Sequence, residues 1–491
     1  MSGLMDVRIT GRAVGGVEIR TGAGILLAGQ GAAKLDYVRA GAVAAETVFN
    51  EITVIEPPAG KARSLAEGLG SGEIKGLLEL RDGEAPATAE RLAELMSRLA
   101  DELNRAHNAS SAAPPPNSLT GRNVGQSLET ALAGFTGRTS IVITNDQGVA
   151  LHKVDLDLAT ANLATFLADL NAQLGTNGSA SFVDGRLKIE GAPGTGVVVV
   201  DDPAAPTNKG GRGFSHFFGL NDLISTDQPA MYETGMTGAS QHGFPAGETI
   251  TFRFSDAAGA KLRDVQVAVP AGGDMTSLLA ALNDPMTGAG RMGTFSLNAA
   301  GEMAFTPRPG SGAQLSVLQD RTTQVPSGVS MSALFGLGGA RASRADAFSV
   351  RADIVRDPAL MAFAKADATG GLGTAVVGRN DARGARLLAA AGENATTFSA
   401  AGGSAGGSMS LSRYASELSG EIGSRAAMAK NSAVSATALA KEATARRTSV
   451  EGVNLDEELV LMTTYQQAFN ASARMVQAAK DMYDILLGMV R

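Results

Sequence analysis

The stretch Asn454–Val490 reads NLDEELVLMTTYQQAFNASARMVQAAKDMYDILLGMV, and its spacing decides the architecture. Leu455, Met462, Phe469, Val476, Tyr483 and Val490 recur at seven-residue intervals. Leu459, Tyr465, Ala473, Ala479 and Leu486 follow three or four residues behind them. Apolar positions alternating in this way form an a/d seam, and a strict seven-residue period predicts a left-handed supercoil with partner helices. Asn454 reads as the N-cap, and Asp456, Glu457 and Glu458 fill the first turn, where carboxylates favour the helix dipole. Asn454 and Glu457 have the spacing of a capping box. At ~1.5 Å per residue the helix is about 55 Å long. Burying its seam stabilises by roughly 1–2 kcal/mol per apolar side chain, which a lone helix cannot realise. Either the helix folds back as an intramolecular hairpin or it packs on other subunits; its length and terminal position favour the second.

Immediately before it, Leu411–Arg447 is helical, Ala/Ser-rich and free of Pro, with Leu411, Leu418 and Leu439 on one seven-spaced line. Ser449–Asn454 breaks the two helices apart. Ala391–Ser410, AGENATTFSAAGGSAGGSMS, reads as a Gly/Ser linker. The whole of 411–491 is therefore expected to be a helical coiled-coil segment.

Further upstream the middle of the chain repeats itself. From Thr139 the order is TSIVITNDQGVALHKVDLDL, FLADLNAQL, SASFVDGRLKIEG; from Thr249 it is TITFRFSDAAGAKLRDVQVAV, LLAALNDPM, GTFSLNAAGEMAFTPRPG. Each reads strand, strand, helix, hairpin, and each leads to a similar tail, GFSHFFGLNDL at 213–223 and MSALFGLGG at 331–339. The reading is two sibling inserted subdomains, 136–230 and 231–340. Residues 1–135 form the first part of a β-rich domain, with short strands in DVRIT, VEIR, GILLAG and KLDYV. A helix at 87–107 carries Leu92, Leu95, Leu99 and Leu103 on one face, and APPPN at 113–117 breaks the chain. Residues 341–410 return to that first domain and end in the linker. The fold class is thus multi-domain α+β: β-rich middle domains with a duplicated strand-strand-helix-hairpin unit and a long C-terminal α-helical coiled-coil segment.

Composition bounds the function. With 491 residues the chain holds about two to four domains. A net charge of −7 and no basic patch argue against nucleic acid as a partner. The absence of Cys excludes disulfides and thiolate metal sites. No apolar run is long enough to span a membrane, and MSGLMDVRIT has neither the basic nor the apolar region of a general signal peptide. The four histidines, His107, His152, His216 and His242, share no metal-ligand spacing and read as packing or solvated residues. GGSAG at 402–406 matches G-x-S-x-G formally, but Ser404 sits in low-complexity sequence rather than between a strand and a helix. Lys61 lacks phosphate-loop spacing, and Asp201/Asp202 read as a solvated strand end. No catalytic, cofactor or metal residue is expected.

SVEGVNLDEELVLMTTYQQAFNASARMVQAAKDMYDILLGMV, Ser449–Val490, resembles the C-terminal signature of flagellar rod, hook and hook-associated proteins. Val453–Glu458, Tyr465–Phe469, Ala471–Arg474 and Asp484–Leu487 carry the likeness. GEIKGLLELRD (72–82), GFSHFFGLNDL (213–223) and VRADIVRDP (350–358) point within the family to the hook–filament junction. The resemblance implies a non-enzymatic subunit of the extracellular flagellum, exported by the flagellar type III route without a cleaved signal peptide. Its partners would be its own copies in a ring or helical assembly, neighbouring hook and junction proteins, and an export chaperone. Leu455, Leu459, Met462, Tyr465, Phe469, Val476, Tyr483, Leu486 and Val490 become subunit-contact positions. In this comparison residue 1 falls inside the family's second domain, and the S-x-x-x-A-x-S-G-L and T-P-G-Y stretches that open the family have no match here. Another axial subunit (hook, distal rod or flagellin-like) or a secreted binding or adhesin module are the rival readings.

Overall fold

The computed structural model describes residues 3–489 except 14, 42, 46, 58, 59, 61, 228, 230, 257–260 and 453. It divides into two units, Met1–Ala415 and Ser416–Arg491. Strands and helices are mixed throughout the first, and the second is helical.

The first unit opens with two three-stranded antiparallel sheets. One contains β1 (Val7–Gly11), β2 (Val17–Thr21) and β3 (Leu26–Ala28); the other contains β4 (Lys34–Asp36), β5 (Thr53–Ile55) and β6 (Ala62–Ser64). Ile25, Val54, Leu65 and Leu78 close a small core with helices α1 (Leu65–Gly68) and α2 (Glu73–Glu79). One wide π-helical turn, Leu80–Glu84, leads into α3 (Ala85–Asn108), the longest helix lying wholly in this unit.

The leucine stripe expected to be the buried face of α3 is only partly covered, with Leu95 and Leu99 half-buried against Phe398, Leu411 and Tyr414. Leu92 is 48% exposed, whereas Glu94, Arg98, Asp101, Asn104, His107 and Asn108 are buried. The apolar periodicity is real, but the charged face is the more deeply buried.

After α3 comes the first subdomain. Strand β7 (Ser118–Thr120), α4 (Leu128–Leu132), β8 (Arg138–Thr144) and β9 (Ala150–Asp157) precede α5 (Phe166–Leu174). A hairpin, β10 (Gly178–Val183) and β11 (Arg186–Gly191), leads to β12 (Gly196–Asp201) and α6 (Phe214–Phe218). The sheet order is β12-β8-β9, with β10-β11-β7 beside it. Its core holds Leu119, Ala131, Leu132 and Phe135 together with Ile141, Leu170 and Phe214, so this subdomain starts before the expected boundary at 136. The break lies at APPPN instead; the turn at Gly134 and Gly137 between α4 and β8 falls inside the subdomain.

A short strand β13 (Ile224–Ser225) links to the second subdomain: β14 (Thr249–Ser255), β15 (Lys261–Ala268), α7 (Met275–Leu282), the hairpin β16 (Gly293–Leu297) and β17 (Met303–Pro307), then β18 (Gln314–Asp320) and α8 (Met331–Phe335). Its sheet order is β15-β14-β18. Phe252, Phe254, Phe295 and Met275 fill its core. Helices α6 and α8 each stop on a left-handed glycine, Gly219 (φ 65°) and Gly336 (φ 62°), the conformation a side chain would strain.

The return runs through α9 (Ala340–Ser343), β19 (Ser349–Val350, paired with β13), α10 (Ala352–Arg356) and α11 (Arg383–Ala390). Between α10 and α11 an extended strap lays Ala364, Ala366, Ala368, Val376 and Val377 on Val142, Ala150 and Val198, the outer face of the first subdomain's sheet.

The expected Gly/Ser linker is an ordered hairpin, β20 (Ala395–Phe398) with β21 (Gly407–Ser410). Phe398 is buried and stacks on Tyr414 at 4.0 Å, and the left-handed glycines Gly402, Gly403 and Gly406 make the turn. Small residues here serve close packing, since a Cβ on Gly402 would meet the Ala87 carbonyl oxygen of α3. From this hairpin starts α12 (Leu411–Glu451), four residues longer than Leu411–Arg447, followed by α13 (Leu455–Gly488).

Candidate assembly surface and buried charge spine

Helix α13 begins as its sequence directs. Asn454 is non-helical and its side chain accepts the Asp456 N–H at 3.1 Å. The cap bond therefore goes to Asp456 rather than to Glu457, the position expected from capping-box spacing.

Leu455, Leu459, Met462, Tyr465 and Phe469 line one continuous groove along the helix, with Val476, Tyr483 and Leu486 further on. Every described residue of α13 is exposed, Phe469 at 73% and Val476 at 70%. Val490 lies outside the described residues. A second apolar line went unread: Leu461, Met475, Met482 and Met489 are also exposed. It too keeps a seven-residue spacing, one residue ahead of the seam, so the signal was present. The two lines are about 100° apart, which widens the apolar face beyond a narrow two-helix seam.

The hydroxyls on this helix turn inward. Thr463, Thr464 and Ser472 donate to the carbonyls of Leu459, Val460 and Ala468 at 2.7–2.9 Å. In α12, Thr437, Thr444 and Thr448 do the same. With their donors satisfied by the backbone, these residues present mainly methyl groups to a neighbour.

Within the first unit the charged face of α3 forms a spine. Glu94 takes Arg98 Nε at 2.8 Å, pairs with Arg344, and accepts the Ser399 N–H at 2.7 Å. Arg98 reaches Glu233 at 2.6 Å; Asp101 receives Arg212 Nε at 3.2 Å and lies 3.0 Å from His216 Nε2. Burial drives the Glu94 carboxyl up, but Arg98 and Arg344 more than offset it and hold it below its usual range. Burial likewise raises Asp101, and Arg212 and His216 bring it well below. The partners belong to different stretches: 212–216 ends the first subdomain, 233 enters the second, 344 leaves it, and 399 belongs to the hairpin before α12. The spine thus ties both subdomains and the root of α12 to one helix.

Lys209 was also missed. It is buried without a carboxylate, and its ammonium donates to the Thr130 and Ala131 carbonyls at 2.7 and 2.9 Å, closing the end of α4. Burial pushes its pKa down to about 8.

Among the described residues no three His, Asp or Glu side chains are placed to hold a metal ion. Ser404 sits in the turn between β20 and β21, not at a strand-to-helix elbow. Asp201 accepts the Thr207 hydroxyl at 2.6 Å and Asp202 accepts the Ala204 N–H at 2.9 Å. No described helix is long and apolar enough to cross a membrane.

Two family models match the chain. Residues 1–123 match the helical domain of the flagellar hook-associated protein FlgK, and residues 447–489 match the C-terminal part of the flagellar basal body rod proteins FlgEFG. No protein of curated function matches. Among solved structures the chain is similar to the flagellar hook junction protein FlgK from Burkholderia pseudomallei, at 13% identity and a TM-score of 0.30, covering 92% of this chain and 76% of that one. At that score the likeness bears no weight. The two family matches bracket the chain at its β-rich start and its exposed terminal helix, and together they support a FlgK-like hook-associated protein.

Proposed function

We propose that this chain is a structural, non-catalytic subunit of the flagellar hook–filament junction that assembles through α13 into a ring or helical array of its own copies, next to hook and junction neighbours. The observation that carries the reading is the continuous exposed apolar face of α13, inside the residues matched to the rod-protein C-terminus. Burying those side chains between subunits stabilises an array by roughly 1–2 kcal/mol each, repeated at every copy by symmetry. Leu455, Leu459, Met462, Tyr465, Phe469, Val476, Tyr483, Leu486 and Val490 are the contact positions of that coiled-coil face. The subunit leaves the cell without a cleaved signal peptide, escorted by an export chaperone, and acts outside it. The two inserted subdomains are read as copies of one strand-strand-helix-hairpin unit. In support, Asn171 and Asn283 hold equivalent places: each accepts from and donates to one strand residue, Ala180 and Phe295, at 2.7 and 2.8 Å.

Phe469→Asp and Val476→Asp test the assembly role. Each should abolish incorporation into purified hook–filament structures while the circular dichroism and melting of the first unit stay unchanged. Normal incorporation of both variants overturns it.

A further inference from the structure

His107 is 0% exposed, near the end of α3, and both ring nitrogens are engaged by main chain from different segments. Nδ1 lies 2.6 Å from the Asn221 carbonyl oxygen, in the tail of the first subdomain. Nε2 accepts the N–H of Ala362, the first residue of the strap, at 2.9 Å. A carbonyl can only accept and an amide N–H can only donate, so the ring is fixed as the neutral Nδ1–H tautomer. The charged groups around it are Asp222 from the subdomain tail and Arg351 and Asp353 from the stretch before the strap. Both carboxylates are already paired, Asp222 with Arg122 at 3.2 Å and Asp353 with Arg351. No free carboxylate among these is available to welcome an imidazolium. In keeping with that geometry, burial holds the His107 pKa below its ordinary value.

The strap that begins at Ala362 is a thin cover. Its buried side chains are Ala364, Ala366, Ala368, Val376 and Val377, which contribute little apolar area each. Beyond His107 its backbone is pinned at three places: Ala364 exchanges two bonds with Ser111, Ala150 of β9 accepts from Gly373 and donates to Thr374, and the Gly148 carbonyl accepts from Val376 and Val377. Beneath it lie Val142 and Val198 and the start of the β9 edge.

We propose that His107 is a proton-operated latch for this strap: a second ring proton turns its acceptor into a donor, frees the Ala362 N–H and lets the strap lift from the outer face of β8 and β12. The latch is independent of the assembly role of α13. Acid would then bare an apolar sheet face and the end of an edge strand on the first subdomain alone.

Hydrogen exchange of the full-length chain, corrected for intrinsic rates and read between pH 7.5 and pH 5, tests this. Protection of amides 362–368 should fall by up to about tenfold per pH unit below about 6.5, the range in which the lifted form binds the proton and the latched form does not. His107→Gln keeps a side-chain acceptor but cannot titrate, and should remove that pH dependence. Unchanged strap protection in the wild type down to pH 5, or the same loss in the Gln variant, overturns the proposal. If the variant does not fold, ring ¹⁵N shifts decide: the latch requires an Nδ1–H, Nε2-acceptor ring at neutral pH, and protonation in step with strap exchange. Any other tautomer, or protonation without strap exchange, rules it out.

Discussion

The two inserted subdomains share a plan and differ in the fate of one sheet face. Each places its first strand between the other two, β12-β8-β9 and β15-β14-β18, and each follows with a helix and a hairpin. Inward, both are apolar. Outward, β8 buries Ser140, Val142 and Thr144, with Val142 packed under the strap, so nearly the whole strand is buried. Strand β14 alternates instead: Ile250, Phe252 and Phe254 are buried, while Thr249, Thr251, Arg253 and Ser255 are half-buried, with Arg253 paired to Asp264 at 2.9 Å. A strand covered on both faces reads as a continuous apolar run, and one covered on a single face alternates. The lesson is that the outer-face residues, not the element order, decide which subdomain is built into the body of the unit.

The largest expected effect strikes what both subdomains share. Glu94→Ala removes the buried carboxylate that Arg98 and Arg344 share and should cost about 3–5 kcal/mol in urea unfolding of the first unit; a loss below about 1 kcal/mol removes the spine as a common anchor. Next comes a reciprocal swap across the outer faces. Val142→Thr places a hydroxyl under the strap and should cost about 1–3 kcal/mol, whereas Thr251→Val should stay within about 0.5 kcal/mol. Equal effects would erase the distinction between the two faces. Asn171→Ala and Asn283→Ala each lose two hydrogen bonds to the following strand and should cost a similar amount, about 1–2 kcal/mol; unequal losses would argue against equivalent places. The smallest effect is a slope. The only Lys in 231–340 is Lys261, which is largely exposed, so the second subdomain has no counterpart of Lys209. With its folded pKa at about 8 against an unfolded value near 10.4, Lys209 sheds its proton earlier in the folded state. Stability should therefore rise with pH from about 8 to 10.4, by at most about 1.4 kcal/mol per unit, seen as slower exchange in β8 and α4 but not in β14. Lys209→Met should flatten that rise.

How legible this was depended on whether the deciding signal is local. The seven-residue spacing of α13 and the Asn454 cap are local, and the helix begins where they place it. The second apolar line, Leu461 through Met489, is equally local and lies one residue ahead of the seam. The buried charged face of α3 was not legible. Leu92, Leu95 and Leu99 form a proper helical stripe, but apart from the Glu94–Arg98 pair the ionic partners Glu233, Arg212 and Arg344 come from residues more than a hundred positions away. The hairpin at 395–410 failed for the opposite reason. Gly and Ser at 402–408 look flexible in isolation, and only the α3 surface against which Gly402 packs explains why they must be small.

The spine also fixes where the chain can be cut and rejoined. The second subdomain enters at Glu233, held by Arg98, and leaves at Arg344, held by Glu94, and these two anchors are one helical turn apart on α3. Entry and exit are therefore docked side by side, and the span between them behaves as a removable cassette. A short bridge could close the gap, and a foreign domain with neighbouring termini could be set in its place without disturbing the root of α12.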